Sequence, residues 1–330
     1  MRKKVVVFGG GTGISCLLRG LKNFPVDITA IITVSDNGSS TGKLREEFLM
    51  PAMGDIRNVI VNLSDADDKI KELLQYRFDT YTDLNGHPIG NLILVGMYNM
   101  TGSLKESIKV LSDFLNVRHK VLPLSEDYLT LMGETENGEI IRGETEIGHD
   151  PRTLTRLFYD EEPTIDKEVI DEIVSADLII FSIGSLFTSI IPNLLSKDII
   201  SAIDKSKAKI LYTCNAVGQM CETEDYTACD HVTAINKYLG KRKIDAVIVA
   251  NSQIPDDIVK KYISAESKKL VKYDEKSLKE INCELIVGDL LTIDNNYIRH
   301  DDLKLATCIF NYLMRWLYVF YYRNQKRNLF

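Results

Sequence analysis

The chain has 330 residues, 45% of them hydrophobic and 26% charged, with a formal net charge of −7. That length can bury a large core and that composition is ordinary for a globular protein, while the acidic balance, with no dense Lys/Arg block before the extreme C-terminus, argues against a nucleic-acid-binding surface. Too few apolar residues follow Arg2-Lys3-Lys4 for a signal peptide, and no run reaches the roughly eighteen apolar residues of a membrane span, so a cytoplasmic location is expected.

Val5-Val6-Val7-Phe8 reads as a strand buried on both faces, as in a parallel sheet. It runs into Gly9-Gly10-Gly11-Thr12-Gly13, after which Ile14, Leu17, Leu18 and Leu21 recur at helical spacing. Strand, glycine loop and helix in that order aim unpaired N–H groups and the positive end of a helix at whatever lies over the loop, which suits a phosphate. Neither standard fingerprint is met. The dinucleotide pattern would need glycine where Ile14 or Cys16 stands, and no Gly-Lys-Ser/Thr follows for a P-loop. Gly10, Gly11, Thr12 and Gly13 are therefore candidates for a phosphate-bearing ligand on a non-standard anion loop.

A second apolar strand, Ile28 to Val34, ends in the polar loop Ser35 to Gly42. In open parallel sheets the ligand crevice lies at the carboxyl ends of strands, so the two loops are expected to face one another. Asp36 is placed to take a ribose hydroxyl or hold a metal, with Asn37 beside it. Gly54-Asp55-Ile56-Arg57-Asn58 opens a helix to Leu63, and the forked donors of Arg57 suit a phosphate or carboxylate. Another helix is expected over Ile70 to Phe78. Asn85 to Asn91 is a constrained loop in which His87 is read as structural or solvated more than as an acid or base, and Asn91 caps the next helix, Leu92 to Met100, or touches the ligand.

Ser103 to Leu115 is an amphipathic helix and Lys120 to Leu124 a strand. Leu129 to Ile147 alternates around Asn137-Gly138, the signal of an inserted β-hairpin that forms an antiparallel edge or a flap. The acidic stretch Asp160 to Asp171 reads as a surface connection. Ala176 to Phe181 is a third buried strand, and Ser182 to Ser189 after it repeats the small-residue turn, which makes Gly184, Ser185 and Thr188 a second possible phosphate or sugar cradle ahead of a helical segment from Asn193 to Leu195. Strands follow at Lys209 to Tyr212, Asp245 to Ala250 and Cys283 to Gly288, two of them closed by Asn215 and Asn251, with helices near Tyr226 to Leu239 and Asp257 to Ser264. Arg299 and His300 precede a helix from Leu303 through Leu317 that Asp301 would cap. Its aromatic residues suggest burial on the domain or in a homo-oligomer interface. Cys16, Cys214, Cys221, Cys229, Cys283 and Cys308 form no C-x-x-C pair and read as reduced, packed thiols.

Taken together, the glycine loop, Ser35 to Gly42, Gly54 to Asn58, Gly86-His87-Pro88-Ile89-Gly90-Asn91, Gly184 to Asn193 and Arg299-His300-Asp301 resemble, in this order, the YvcK-like gluconeogenesis factors of the CofD superfamily. The resemblance covers essentially the whole chain. It implies one α/β domain over residues 1–330, a three-layer Rossmann-like fold with a mainly parallel central sheet and helices on both faces, the hairpin inserted near 129–148 and an aromatic tail over 310–330. It also implies a bacterial, cytoplasmic protein that binds a nucleotide sugar such as UDP-N-acetylglucosamine and serves cell shape and envelope synthesis during growth on gluconeogenic carbon. Three departures stand out: Ser39 replaces a glycine, which a serine accommodates if the residue has a negative φ, Ser182-Ile183 replace Gly-Pro, and Asn215 to Asp225 is diverged but keeps Glu222 and Thr223.

On this reading the diphosphate rests on Gly10 to Gly13, with Asp36, Asn37, Asn91, Asn193 and Asn215 as polar contacts and Arg57 or Arg299 as charge partners. No two residues form an obvious nucleophile and base. An enzymatic alternative is a phospholactate transferase using a nucleotide donor and a deazaflavin acceptor, with magnesium on Asp36 or Asp55. An NAD-dependent oxidoreductase is the other alternative. A regulator would in addition need a protein partner.

Overall fold

The computed structural model describes residues 2–255, 258, 269–294 and 297–327, with side chains through 315. Val5 to Phe8 are each at most 1% exposed, as a strand covered on both faces requires, and they form the middle of β1 (Lys3–Gly9). On one side β1 pairs in parallel with β2 (Val26–Ile32), reached through helix α1 (Gly11–Leu21), and β2 pairs with β3 (Lys120–Pro123). On the other side lie β7 (Leu178–Phe181), β8 (Lys209–Thr213), β9 (Ala246–Ala250) and β10 (Glu284–Gly288), so the seven strands run β10-β9-β8-β7-β1-β2-β3 with every neighbouring pair parallel.

The sheet therefore winds one way from β1 through β2 and the other way from β7 through β8. Right-handed crossovers place α1, which packs on α3 (Gly54–Leu63) and on the C-terminal helix Asp302–Arg327, on one face. They place α9 (Lys197–Lys205), which packs on α8 (Lys167–Ser175), on the other. Phe8 and Phe181 stack across β1 and β7 with ring centroids 5.5 Å apart. The result is the expected Rossmann-like α/β architecture.

Several elements differ from expectation. The helix expected over Ile70 to Phe78 is α4 (Asp68–Gln75), capped by Asp67; the chain leaves it because Arg77 bridges back to Pro88. The Asn137-Gly138 hairpin is present as β4 (Leu131–Thr135) and β5 (Ile140–Arg142), with Gly138 at φ 77°. At Gly143, φ 106°, the chain turns into α7 (Glu144–His149), and β6 (Leu154–Tyr159) pairs with the other side of β4. The insertion is thus a separate three-stranded antiparallel sheet that carries a short helix. The acidic connection ends early, because Asp166 caps α8 within it.

Tyr297–His300 is half of a second hairpin with Leu291–Asp294. Asp301 accepts the N–H of Lys304 at 2.9 Å, as a cap would. Phe310 packs on Phe24, and Tyr312 and Leu313 are buried, so the start of the aromatic tail lies on the domain; side chains beyond 315 fall outside the described residues. The helix expected over 257–264 also falls outside them except for Ile258. All six cysteines are free. Among the described residues no single helix is long and apolar enough to cross a membrane, and the bent pair Leu186–Leu194 with Lys197–Lys205 turns through 71°.

α1 and the turn after β7 meet at Gly13, where an added Cβ would lie 2.2 Å from the carbonyl oxygen of Ile183. Backbone faces backbone there, so relief requires a shift of α1 or of the turn. Gly13→Ala is expected to lower unfolding free energy by about 1–3 kcal/mol in urea titrations. Gly96→Ala, at an open position of α5 (Ile89–Thr101), serves as the control and should be neutral or stabilising. Equal stability of Gly13→Ala and the wild type would disprove the close crossing.

Candidate functional site

Where the winding reverses, no crossover covers the carboxyl ends of β1 and β7, and a cleft of about 940 Å³ opens. Gly11, Thr12 and Gly13 form one wall, Gly184, Ser185 and Thr188 the facing one; Asn215 closes the end of β8, and Arg299 and His300 reach in from the C-terminal hairpin. Eight of the residues expected at a site thus converge here. A smaller cavity of about 200 Å³ is lined by Asp36, Arg57 and Asn91 together with Ser40, Asp55 and Arg77.

Gly10 stands behind the larger cleft, where an added Cβ would meet Thr33 Oγ1 at 2.5 Å and Asp55 Oδ2 at 3.0 Å. Asn37 and Asn193 line neither cavity, contrary to expectation. Asn37 donates to Glu146 Oε2 at 2.9 Å and accepts the Thr145 N–H at 2.8 Å, tying its loop to α7. Asn193 is fully buried and donates to the carbonyl of Ser189 at 2.8 Å, bracing the irregular helical turn Leu186–Ile190. Asn251 is exposed and also lies apart from both cavities. Ser39, which begins α2 (Ser39–Phe48) after an extended Gly38, has φ 44°, so the condition of a negative φ under which a serine fits without strain is not met.

The two loops read as phosphate cradles already hold carboxylates of the chain itself. The first amides of a helix have no intrahelical acceptor; Gly11, at φ 66°, donates its N–H to Asp55 Oδ2 at 2.5 Å, which leaves those of Thr12 and Gly13 for a ligand. After β7, Glu222 Oε1 accepts from Ser185 Oγ at 2.5 Å and from the Phe187 N–H at 2.6 Å. Ser185 in turn accepts the Thr188 N–H at 3.0 Å. Asn215 brackets Gly184, accepting its N–H at 3.1 Å and donating to its carbonyl at 2.9 Å. The second cradle is therefore a turn clamped by Glu222, and its Gly184 and Thr188 edge forms cleft wall.

Sequence reasoning missed Glu144 and Arg19, which both line the cleft. Glu144 follows Gly143, the residue that breaks the hairpin, and that glycine was the available signal. Loss of water, then the charges of Asp36 and Asp55, push its carboxyl well above the usual range, and Thr188 hydrogen-bonds to it. Arg19 holds Asp302 at 2.9 Å and Asn62 at 3.1 Å. Burial lowers His300 to about 4, so its imidazole is neutral at pH 7. His87 is buried and shares a hydrogen bond with Ser40 Oγ at 2.8 Å, the structural role expected.

Asp55 is pushed up from 3.8 to about 6, first by burial and then by the charge of Asp36. A carboxyl raised in the folded state binds protons that the unfolded chain has lost, so stability falls as pH rises from about 4 to about 6 and stays low above that, by at most about 3 kcal/mol for this group. Asp55→Asn removes the titration and can still accept from Gly11. The difference in melting temperature, variant minus wild type, is expected to grow between pH 4 and 7 and then level off in thermal scans; a difference independent of pH would contradict the burial of Asp55 as a titrating acid.

The family described as 2-phospho-L-lactate transferase CofD matches residues 5–291. The gluconeogenesis factor of Bacillus subtilis is 45% identical over 314 residues, covering 94% of this chain and 98% of its own length. That of Halalkalibacterium halodurans is 41% identical over 309 residues, 93% of this chain and 96% of its own. A crystal structure of a protein from Bacillus halodurans superposes with a TM-score of 0.91 at 41% identity, over 94% of this chain and 100% of the other. With a matching fold, a matching sequence over nearly its full length and its loops gathered at one crevice, the chain belongs to the CofD family, among the relatives that carry the name gluconeogenesis factor.

Proposed function

We propose that the large cleft binds a nucleotide sugar of the uridine diphosphate type, UDP-N-acetylglucosamine among them, and that the protein is a cytoplasmic gluconeogenesis factor serving cell shape and envelope synthesis on gluconeogenic carbon. The observation that carries this reading is the cleft of about 940 Å³ at the winding reversal, long enough to run from the start of α1 to Arg299. In this reading the diphosphate sits on the Thr12 and Gly13 amides, where the helix dipole favours it, with Arg299 and Arg19 as charge partners. Glu144, Thr188 and Asn215 face the hydroxyl-rich remainder, because a carboxyl, a hydroxyl and a carboxamide suit sugar hydroxyls better than phosphate.

A second reading follows from the family description, which names a phospholactate transferase. Asp36 and Asp55 both line the smaller cavity, and two carboxylates with open positions fit magnesium, which keeps water or phosphate oxygens on its remaining sites. Bound there, magnesium would polarise a phosphoryl oxygen; Asp36 and Asp55 would hold it, and Gly11 would keep Asp55 oriented.

Isothermal titration of the full chain with UDP-N-acetylglucosamine, UDP, GDP and NAD, each with and without magnesium, separates the readings. Metal-independent binding of the UDP-sugar without breakdown, weakened tenfold or more by Arg299→Ala, is the expected result. Magnesium-dependent preference for GDP would move the assignment to the transferase, and preference for NAD would overturn both.

A further inference from the structure

We propose that the smaller cavity is a second ligand site, selective for a small polyhydroxylated oxyanion such as a sugar phosphate or a sugar-derived carboxylate, and separate from the nucleotide cleft. This proposal does not depend on the identity of the cleft's ligand, and it stands as the alternative to magnesium on Asp36 and Asp55, which line the same cavity.

The starting observation is Arg57. Only 4% of it is exposed, yet its Nε and Nη1 have no hydrogen-bond partner, and Nη2 reaches only the side chain of Asn58 at 2.5 Å. A buried guanidinium with two idle nitrogens is costly, and those donors suit the oxygens of a phosphate or carboxylate. The chain nevertheless builds a seat for it. A Cβ on Gly90 would lie 2.7 Å from Arg57 Cδ, 2.9 Å from Cγ and 2.7 Å from the carbonyl oxygen of Leu74, so the absence of a side chain at Gly90 leaves room for the arginine stem as well as for the close approach of α4.

Arg77 lines the same cavity, with Nη1 on the carbonyl of Gly86 at 2.7 Å. Two like charges share a small space, and their repulsion adds to burial in disfavouring the charged form of Arg57. An anion between them relieves both effects.

The same cavity also offers acceptors. Asp36 and Asp55 line it with carboxyl groups, and Asn91, 2% exposed, has an Oδ1 without a partner. Asn91 is held by Ser40, to which it donates at 3.2 Å, and Ser40 is held by His87, so Asn91 is set before any ligand arrives. Donors and acceptors lining one small cavity call for a ligand that carries both an oxyanion and hydroxyls. A bare anion would meet Arg57 and Arg77 but would also face two acids. The cavity, at about 200 Å³, takes only a small molecule.

The test is titration calorimetry of the full chain with glycerol 3-phosphate, D-glycerate and inorganic phosphate, on the wild type and on Arg77→Ala, Arg57→Lys and Arg299→Ala. Arg77 is exposed, so its truncation leaves the core intact. At least one hydroxylated probe is expected to bind tenfold or more tightly than inorganic phosphate, and whether it is the phosphate or the carboxylate identifies the oxyanion. That binding should weaken at least tenfold in Arg77→Ala and Arg57→Lys and stay within twofold in Arg299→Ala. The proposal is overturned if no probe binds, if inorganic phosphate binds as tightly as the hydroxylated probes, or if Arg299→Ala abolishes binding while Arg77→Ala does not.

Discussion

The constraint on which the rest depends is the placing of β1 between β2 and β7. Parallel strands need crossovers, and when consecutive crossovers leave β1 in opposite directions nothing covers its carboxyl end. The loops that emerge there have to make their own walls. Gly13 lets α1 approach the turn after β7 to backbone contact. Asn215 fixes that turn from β8 through both polar atoms of Gly184. The C-terminal hairpin closes the far side with Arg299 and His300. Each is a local answer to one topological fact, and together they leave an elongated cleft instead of a compact pocket.

A second theme is that acids occupy the positions where phosphates were expected. Asp55 sits on the N-terminus of α1 and Glu222 on the turn after β7, each accepting main-chain N–H groups. Such contacts make a carboxylate tolerable in a poorly hydrated place, but they do not cancel burial, and both groups remain raised. Glu144 joins them with its carboxyl raised further. The crevice is therefore not a simple basic funnel. Arginine and free amides are confined to parts of it, acceptors hold the rest, and a ligand with a charged centre and a hydroxylated periphery matches that division better than a bare polyanion does.

The sheet was legible because buried parallel strands are continuous apolar runs, and β1, β2, β7, β8 and β9 are all of that kind. The position of the crevice was legible for a related reason: polar and glycine-rich loops follow those strands directly. The partition of the candidate residues into two cavities was not. Asp36, Arg57 and Asn91 look like contacts of one ligand in the sequence, and only the packing of α2, α3 and α5 shows that Asp55 stands between them and the glycine loop. Glu144 escaped notice because alternation carried the hairpin reading past Gly143, where a positive φ ends the strand. Asn193 looked like a contact because asparagine near a turn suits either role; its burial decided for the structural one.

Ser39 and Arg57 show where the chain departs from what local energetics prefers. A serine at φ 44° costs about 1–2 kcal/mol against an extended or right-handed conformation, and glycine would adopt it freely. A buried arginine with two idle nitrogens is disfavoured for a different reason, loss of water without compensation. Both residues border the same cavity of about 200 Å³. Core packing does not impose the first of them, since Ser39 is exposed. Sequences keep such departures where function offsets them. Ser40, next after Ser39 in α2, meets His87 and Asn91, and Ser40, Asn91 and Arg57 line one cavity. Strain at Ser39 and unmet donors on Arg57 are then two parts of one arrangement, and each is explained by a ligand that fills the cavity they share.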